Sequence, residues 1–367
     1  MALVGNDRLS AMKPANQIFQ FFWPGDTLSP YEKLCLRSVI DHKDRNNCQG
    51  INRAGGGFVA VCVCTRGRPK MLRACLDSLI AQVPPKGWTI ALIVVENDDN
   101  PHCIDIVEEA RKGALYAVEY VNETEIGIPF ARNTAIEASR KLGAEWIAFI
   151  DDDEVAEPDW LVRLCGRAAQ FGVDAVQGPS RYEYPSETPD WLPRRSLAHR
   201  ENGQVLRTAS TNNVMFRRSL TEEAGLGLRF DTRYRFTGGS DSDFFNRATY
   251  RGARIVWEQS AVVSEIVPQS RLRLGWQLKR AFRVATNASE GELRRCGFMR
   301  TFIRRIPKNL LRLIRGAVLL PLVLLWPLGV PFRRLAFTGM KSCASGLGGF
   351  AGLTPFRIEP YRLIEGE

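Results

Sequence analysis

The segment that most constrains the fold is a short apolar run ending in three adjacent carboxylates, Trp146 to Asp153. An apolar run of this length and composition is typical of a buried strand in a parallel sheet. Ligands of open α/β sheets collect at the carboxyl ends of such strands. Three neighbouring negative charges repel one another unless water or a cation compensates them. The segment therefore indicates a site for a charged ligand or, in the simpler interpretation, a polar loop after a strand.

Asp151 and Asp153 are the candidate metal ligands. In an extended chain alternate side chains share a side, so these two would point together and Asp152 would point away. Carboxylate pairs suit hard divalent cations such as Mn²⁺ or Mg²⁺. The three histidines and nine cysteines show no zinc-binding spacing. The nine scattered cysteines are typical of a reduced, cytosolic protein.

Alternating strand and helix patterns predict an α/β fold with a mostly parallel, doubly wound sheet. The predicted strands are 58–64, 90–95, 115–121, 146–150 and 174–177. The predicted helices are 69–82, 103–112, 129–141 and 158–170. Right-handed crossovers would bring the loops at 65–68, 96–100 and 151–153 to one edge of the sheet.

The predicted loops carry groups that suit a nucleotide. Arg66 and Arg68 could contact a phosphate or a base edge. Glu96 and Asp98 could accept hydrogen bonds from ribose hydroxyls or from a pyrimidine. A metal on the two aspartates would neutralise a pyrophosphate. The first strand is not followed by G-x-G-x-x-G and no P-loop lysine motif occurs, which disfavours dinucleotide and P-loop sites.

Six segments, in order and with consistent spacing, resemble the family 2 glycosyltransferases, which have the GT-A nucleotide-sugar fold. The resemblance covers about residues 58 to 285 and is closest to bacterial exopolysaccharide glucosyltransferases of the succinoglycan type. The segments are 61–69 (VCVCTRGRP), 94–98 (VVEND), 127–133 (GIPFARN), 149–153 (FIDDD), 211–218 (TNNVMFRR) and 238–245 (GGSDSDFF).

The resemblance implies an inverting transfer of a sugar, glucose by analogy, from a UDP-sugar to an acceptor hydroxyl. A metal would stabilise the leaving diphosphate and a separate carboxylate would take the acceptor proton. By analogy, Asp151 approaches the ribose or the metal, Asp153 binds the metal and Asp241 is the general base. The implied nucleotide-sugar contacts are Thr65, Arg66, Arg68, Glu96, Asp98, Arg132 and Asn133; Arg132 and Asn133 could instead be surface polarity.

The sequence departs from the family pattern in two places. Ser240 stands before Asp241 where the family usually has glutamate. No histidine follows His199, so the late histidine metal ligand of some relatives is missing, and Glu265 or water could replace it. Asp243 could be a helix N-cap or a further catalytic carboxylate.

Other candidates belong to the acceptor and to the diphosphate. Asn212 and Asn213 suit an acceptor-site strand, or alternatively a turn. Trp191 is the candidate for stacking on an acceptor sugar. In the family a basic and aromatic segment closes over the diphosphate, which suggests Arg280 and Arg283 as phosphate contacts; a solvated helix face is the alternative.

The C-terminal region predicts membrane association. The net charge of +10 is concentrated between Arg294 and Arg315, where eight Lys or Arg occur without an acid. The charge-free run Gly316 to Phe332 would span about 25 Å as a helix, short of a hydrocarbon core of about 30 Å. A short hairpin, an amphipathic anchor and a buried helix are the alternatives. Flanking arginines place the basic side on the cytoplasmic face of a bacterial inner membrane.

The sequence as a whole predicts three parts. Residues 1–57 form an extension and linker with a helix at about 30–42, residues 58–285 the GT-A domain, and residues 286–367 a helical membrane-associated region. The predicted acceptor is a lipid-linked saccharide or a polysaccharide, in exopolysaccharide or surface-polysaccharide synthesis. A nucleotidyltransferase and a non-catalytic membrane scaffold with a degenerate site are the alternatives. Nucleic acid is a poor fit as a partner because the basic run borders an apolar segment.

Overall fold

The structure, a computed structural model, describes residues 56–170 and 172–354. The predicted N-terminal helix at 30–42 lies outside these residues. The strands are β1 Gly57–Thr65, β2 Trp88–Glu96, β3 Ala117–Asn122, β4 Trp146–Asp151, β5 Glu154–Ala156, β6 Ala175–Gln177, β7 Ser180–Glu183, β8 Val205–Leu206, β9 Asn213–Arg217, β10 Ile255–Trp257 and β11 Val263–Ile266. The helices are α1 Pro69–Ile80, α2 Ile104–Gly113, α3 Ile128–Leu142, α4 Trp160–Ala168, α5 Ser240–Tyr250, α6 Gln269–Leu272, α7 Leu274–Cys296, α8 Phe298–Leu319 and α9 Val330–Ala351.

The main sheet has eight strands in the order β3-β2-β1-β4-β9-β6-β10-β8. Strands β3, β2, β1 and β4 run parallel to one another, as predicted. Strand β9 runs antiparallel between β4 and β6, and pairs Asn213 with Ile150. Because β9 runs the opposite way, its first residues lie at the edge where β1 and β4 end.

Local sequence signals explain several helix ends. Pro69 begins α1, and a proline also lies in the first turn of α3, where its missing N–H costs no hydrogen bond. Gly143 ends α3 with a φ of 80°, a left-handed conformation that favours glycine. These signals placed the predicted helices within a few residues of the observed ones.

The core consists of two layers, one on each face of the main sheet. Alternate residues of β1 divide between them: Val61 and Val63 pack on one face, and Cys62 on the other. Leu76 of α1 belongs to the first layer and Phe244 of α5 to the second. Both faces are covered, which explains why β1 and β4 are apolar up to their last residues, Thr65 and Asp151.

A second sheet of three strands, β5-β11-β7, lies beside the acidic segment. Its central strand places Glu265 opposite Glu154 on β5 and opposite Tyr182 on β7. Asp153 immediately precedes β5 in the chain. Glu265 is therefore brought next to the acidic segment, although the two are far apart in sequence.

Helix α7 is continuous through residue 285, where a domain boundary is predicted. Helix α9 packs against both α7 and α8. Small residues permit the close approach: a Cβ on Gly348 would lie 2.1 Å from the carbonyl oxygen of Phe282 in α7. The predicted boundaries stay a prediction, but the described C-terminal helices are packed onto a helix of the predicted transferase domain.

Helix α8 is amphipathic and largely exposed. Within the described residues, the stretch Phe298–Leu328 is the one candidate long and apolar enough to cross a membrane, and 6% of its most apolar window is buried. Exposed apolar residues of α8 include Met299, Ile303, Leu310 and Ile314. Three exposed basic residues, Arg300, Arg304 and Arg315, each directly follow one of these apolar residues in the sequence. A basic stripe thus runs beside an apolar stripe.

Candidate functional site

A cavity of about 1170 Å³ opens where β1 and β4 end and β9 begins. Ten of the predicted site residues line it: Thr65, Arg66, Arg68, Arg132, Asp151, Asp153, Asn212, Asp241, Arg280 and Arg283. Five others do not: Glu96, Asp98, Asn133, Asn213 and Trp191. The tertiary structure therefore separates two groups of residues that the sequence did not distinguish.

The three aspartates form a turn rather than a continued strand. Because β4 ends at Asp151, strict alternation does not apply beyond it, and all three carboxylates line the cavity. The prediction that Asp152 points away is therefore wrong. Its Oδ2 accepts a hydrogen bond of 2.7 Å from Thr65 Oγ1, and its Oδ1 accepts one of 3.1 Å from Arg68 Nη1.

Negative charge is poorly accommodated in this turn. Desolvation raises the pKa of Asp152 to about 6, against the opposing charge of Arg68. Desolvation also raises the pKa of Asp151, where Arg132 opposes the shift and the neighbouring carboxylates add to it. Burial holds the pKa of Glu154 well above its usual range. Burial and mutual repulsion therefore disfavour the charged form of these carboxylates, and a nearby divalent cation would favour it.

The residue types fit a hard cation, since Asp151, Asp153 and Glu265 offer only oxygen ligands. Their arrangement is nevertheless organised by an arginine. Arg271 donates to Glu265 through Nη1, and its Nη2 lies 3.1 Å from Asp153 Oδ2. No group of three or more His, Cys, Asp or Glu is arranged to hold a metal in the described part of the chain. The guanidinium of Arg271 thus neutralises the carboxylates of Asp153 and Glu265.

Arg132 connects the acidic turn to the segment that departs from the family pattern. Its Nη1 donates a 3.0 Å hydrogen bond to Ser240 Oγ. Its Nη2 lies 3.9 Å from Asp151 Oδ1, and the guanidinium lies 5.6 Å from the ring centroid of Phe230. Ser240 therefore forms a hydrogen bond with Arg132 at the position where the family usually has a glutamate.

Asp241 lies in the first turn of α5 and faces the cavity. Gly238 and Gly239 precede the helix with φ angles of 72° and 94°, which allow the tight entry. None of the residues in 56–170 and 172–354 donates a hydrogen bond to the Asp241 carboxylate. It is half-buried and remains available to a ligand.

Asp243 is not the N-cap of α5, because the helix already begins at Ser240 and Gly239 takes the N-cap position. Its carboxylate accepts a 2.8 Å hydrogen bond from Arg247 Nε, four residues further along the helix. This contact holds Asp243 against the helix.

Glu96 does not face the cavity. Its buried carboxylate accepts hydrogen bonds from the backbone N–H of His102 at 2.8 Å and of Cys103 at 3.0 Å. Tyr120 donates a third, at 2.7 Å. Glu96 therefore accepts hydrogen bonds from backbone N–H groups at the N-terminus of α2, and the structure does not place it at a nucleoside.

Asp98 and Asn133 also lie off the cavity. The Asp98 carboxylate is 3.7 Å from the Nε of Arg66, which does line the cavity. Asn133 exchanges two 2.9 Å hydrogen bonds with the backbone of Phe230. The structure thus gives Asn133 a role in fixing the segment before α5.

Asn213 is fully buried and structural. Its Oδ1 accepts a 2.8 Å hydrogen bond from Trp160 Nε1. Its Nδ2 donates to the carbonyl oxygens of Pro179 at 2.9 Å and Ala261 at 2.8 Å. The acceptor role predicted for it is not supported, because its amide is fully engaged inside the protein.

Asn212 lines the cavity and donates a 2.8 Å hydrogen bond to Glu154 Oε1. Trp191 does not line the cavity. Its ring packs 4.9 Å from the ring of Phe337 and 6.5 Å from that of Trp326, measured between centroids. Trp191 therefore packs against the C-terminal region, and acceptor stacking by this residue stays a prediction.

The comparisons with known proteins agree with this geometry. The model of Glycosyl transferase family 2 matches residues 60–225. The chain is 34% identical over 229 residues to Succinoglycan biosynthesis protein ExoM of Rhizobium meliloti, which covers 61% of this chain and 72% of that relative. The chain belongs to glycosyltransferase family 2.

Two further similarities concern this glycosyltransferase. It is 22% identical over 240 residues to the glucosyl-dolichyl phosphate glucuronosyltransferase of Haloferax volcanii, covering 61% of this chain and 73% of that one. The solved mannosyltransferase PcManGT from Pyrobaculum calidifontis, in complex with GDP-Man and Mn²⁺, superposes with a TM-score of 0.55 at 19% identity. That match covers 87% of this chain and 95% of the other, and the predicted GT-A fold is confirmed.

The glycosyltransferase has a basic wall opposite its acidic turn, formed by α6 and α7. Arg271 and Arg280 lie 5.9 Å and 5.4 Å from the ring centroid of Trp276. Desolvation lowers the pKa of Arg280 to about 10, and the charges of Arg195 and Arg283 contribute. So much positive charge in one place suits a bound anion.

Sequence reasoning missed Arg271 and Trp276 as cavity residues. The available signal was the basic pattern of residues 271, 280 and 283 after strand β11, of which only the last two were singled out. The contact of Arg271 with Asp153, across 118 positions, has no local sequence signature.

Proposed function

We propose that this glycosyltransferase transfers a sugar from a UDP-sugar to an acceptor hydroxyl with inversion, using Mn²⁺ or Mg²⁺. One observation carries the proposal. A single cavity contains an acidic turn at Asp151 to Asp153, a basic wall with Arg280 and Arg283, and the separate carboxylate of Asp241. A single displacement on a nucleotide sugar needs these three features.

The nucleoside would bind at the end of β1. Thr65, Arg66 and Asn97 line this part of the cavity. The buried Nε of Arg66 has no hydrogen-bond partner in the described structure, although Asp98 lies 3.7 Å away. Buried donors are normally paired, so a base or ribose oxygen is a fitting partner for it. UDP is favoured by the family resemblance of this segment.

The diphosphate would lie between the acidic turn and the basic wall. A divalent cation held by Asp151 and Asp153 would supply Lewis-acid stabilisation of the leaving diphosphate. Arg280 and Arg283 would bind the phosphate oxygens from α7, where guanidinium groups suit bidentate contacts. Binding an anion here would also relieve the mutual repulsion of the arginines.

Asp241 would orient the acceptor hydroxyl and accept its proton. Arg132 donates a hydrogen bond to Ser240, the residue before Asp241, and lies 3.9 Å from Asp151 of the acidic turn. A positioned general base typically contributes about 10²–10⁴-fold to the rate.

We further propose a lipid-linked saccharide acceptor at the cytoplasmic face of a bacterial membrane. Three observations support this proposal. Helix α8 exposes an apolar and a basic stripe, which suit an anionic bilayer. Its Arg305 lines the cavity, so the exposed helix reaches the site. One relative is named for a glucosyl-dolichyl phosphate and another for succinoglycan biosynthesis.

The test is calorimetric binding of UDP-, GDP- and dTDP-sugars, with and without Mn²⁺, to the wild type and Asp153→Asn. We expect Mn²⁺-dependent binding of one UDP-sugar that is lost in the variant. That sugar is then assayed for transfer to lipid extracts and to free oligosaccharides. A preference for GDP- or dTDP-sugars would contradict the donor proposal, and transfer to free oligosaccharides alone would contradict the lipid-linked acceptor.

A further inference from the structure

We infer that Arg271 is an exchangeable counter-ion of the proposed metal site. Without metal its guanidinium neutralises Asp153 and Glu265; when a divalent cation takes its place, it turns to the diphosphate of the donor. The inference rests on the metal site proposed above and goes beyond it. The contacts that carry it are the hydrogen bond to Glu265 and the 3.1 Å contact with Asp153.

The carboxylates of Asp153 and Glu265 converge on one position, which the guanidinium of Arg271 takes. Glu265 lies on β11 and pairs with Glu154 of the neighbouring strand β5. Asp153 directly precedes β5 in the chain. Both carboxylate side chains are about one-tenth exposed, at 10% and 11%. A hard divalent cation needs carboxylate oxygens of this kind. The guanidinium and a metal ion therefore compete for the same oxygen atoms.

The released guanidinium has a place to go inside the cavity. Arg271 lies on the four-residue helix α6, and its guanidinium is already 5.9 Å from the Trp276 ring centroid. Arg280 lies near the same ring, at 5.4 Å. Turning away from Asp153 would add the charge of Arg271 to the phosphate-facing wall.

This exchange couples the metal to the nucleotide. Metal binding alone would leave an extra positive charge beside Arg280, which is already crowded by other arginines. A diphosphate would compensate that charge and would itself be bound more tightly by the released arginine. Coupling of this kind is reciprocal, so metal should strengthen diphosphate binding by the same factor as diphosphate strengthens metal binding.

The test is Mn²⁺ binding in the absence of nucleotide, measured from the electron paramagnetic resonance signal of free Mn²⁺. Arg271→Met should bind Mn²⁺ about tenfold more tightly than the wild type, which corresponds to about 1.4 kcal/mol. Arg271→Lys, which retains the charge, should stay within about threefold of the wild type, or about 0.6 kcal/mol. Arg273→Met removes an equal charge from an exposed position two residues away and should leave Mn²⁺ affinity unchanged.

Two further measurements decide the outcome. Adding UDP should tighten Mn²⁺ binding to the wild type more than to Arg271→Met. Asp153→Asn in the Arg271→Met background should abolish the gained affinity. Equal Mn²⁺ binding by wild type and Arg271→Met, both folded by circular dichroism, overturns the exchange alone. Absence of Mn²⁺ binding by every variant, with UDP-sugar binding intact, overturns the metal site and the exchange with it.

Discussion

The two walls of the cavity differ in how their polar groups are satisfied. On the sheet wall, at the ends of β1 and β4, Asp152 is held by Thr65 and Arg68. On the helix wall, formed by α6 and α7, desolvation lowers the pKa of Arg280, and the charges of neighbouring arginines add to that shift. Asp152 thus has its hydrogen-bond partners within the protein, whereas the arginines around Arg280 form a local excess of positive charge.

This difference has a physical consequence for how the site is formed. Hydrogen-bonded groups at strand ends keep their positions without a ligand, since the sheet fixes their backbone. Arginines on a helix wall keep their positions through packing from behind, which α9 supplies, and through the anion that they bind. We therefore expect the sheet wall to be preformed and the helix wall to respond to the donor.

The largest expected effect follows from replacing Asp241, the cavity carboxylate that belongs to neither wall. Asp241→Asn should lower the transfer rate by about 10²–10⁴-fold, because the amide cannot accept the acceptor proton. Donor binding, measured by calorimetry, should stay within about twofold, because neither wall is altered. Asp243→Asn is the matched control: it removes the charge of the ion pair with Arg247 and should lower stability rather than remove the reaction. Equal rates for Asp241→Asn and wild type would exclude Asp241 as the base.

The second effect concerns the sheet wall. Asn213→Ala would leave the indole N–H of Trp160 and two buried carbonyl groups unpaired. The free energy of unfolding should fall by about 2–4 kcal/mol, as measured by denaturant titration. Asn212→Ala, one residue earlier and facing the cavity, should cost less stability and act mainly on transfer. Equal losses of stability in both variants would contradict the division between them.

These neighbouring residues show what could be predicted from the sequence. The segment 211–218 was found as a motif, and alternation along β9 implies that adjacent side chains point to opposite sides. Which of Asn212 and Asn213 faces the cavity depends on the position of Trp160, which belongs to helix α4. The same ambiguity affected Arg132 and Asn133, because both are polar residues at the start of a helix.

The third effect concerns the support of the helix wall. Gly348→Ala would place a Cβ 2.1 Å from the carbonyl oxygen of Phe282 and so force α9 away from α7. We expect a loss of about 1–3 kcal/mol in unfolding free energy and weaker donor binding. Gly275→Ala is the control, because a Cβ there meets nothing within 4 Å. Unchanged donor binding in a destabilised Gly348→Ala variant would show that the helix wall does not depend on α9.

The smallest effect concerns the exposed face of α8. Arg300→Gln and Lys308→Gln should each weaken binding to anionic vesicles by about fivefold, from about 1 kcal/mol per charge near the surface. The effect should shrink at high salt and vanish on neutral vesicles. Lys86→Gln, which changes an exposed residue far from α8 in the sequence, is the control for sedimentation with vesicles. Equal weakening by Lys86→Gln would mean that net charge, not α8, attracts the membrane.

The sequence by itself determined the α/β architecture, the strand ends that line the cavity and the family. These are local properties, since apolar runs, proline and glycine signals and short motifs are written in neighbouring residues. Only the tertiary structure decided that Glu96 satisfies α2, that Trp191 packs against the C-terminal helices, and that Arg271 reaches Asp153. The reason is that a side chain's partners come from elements distant in sequence, and two adjacent residues of one type can face opposite environments.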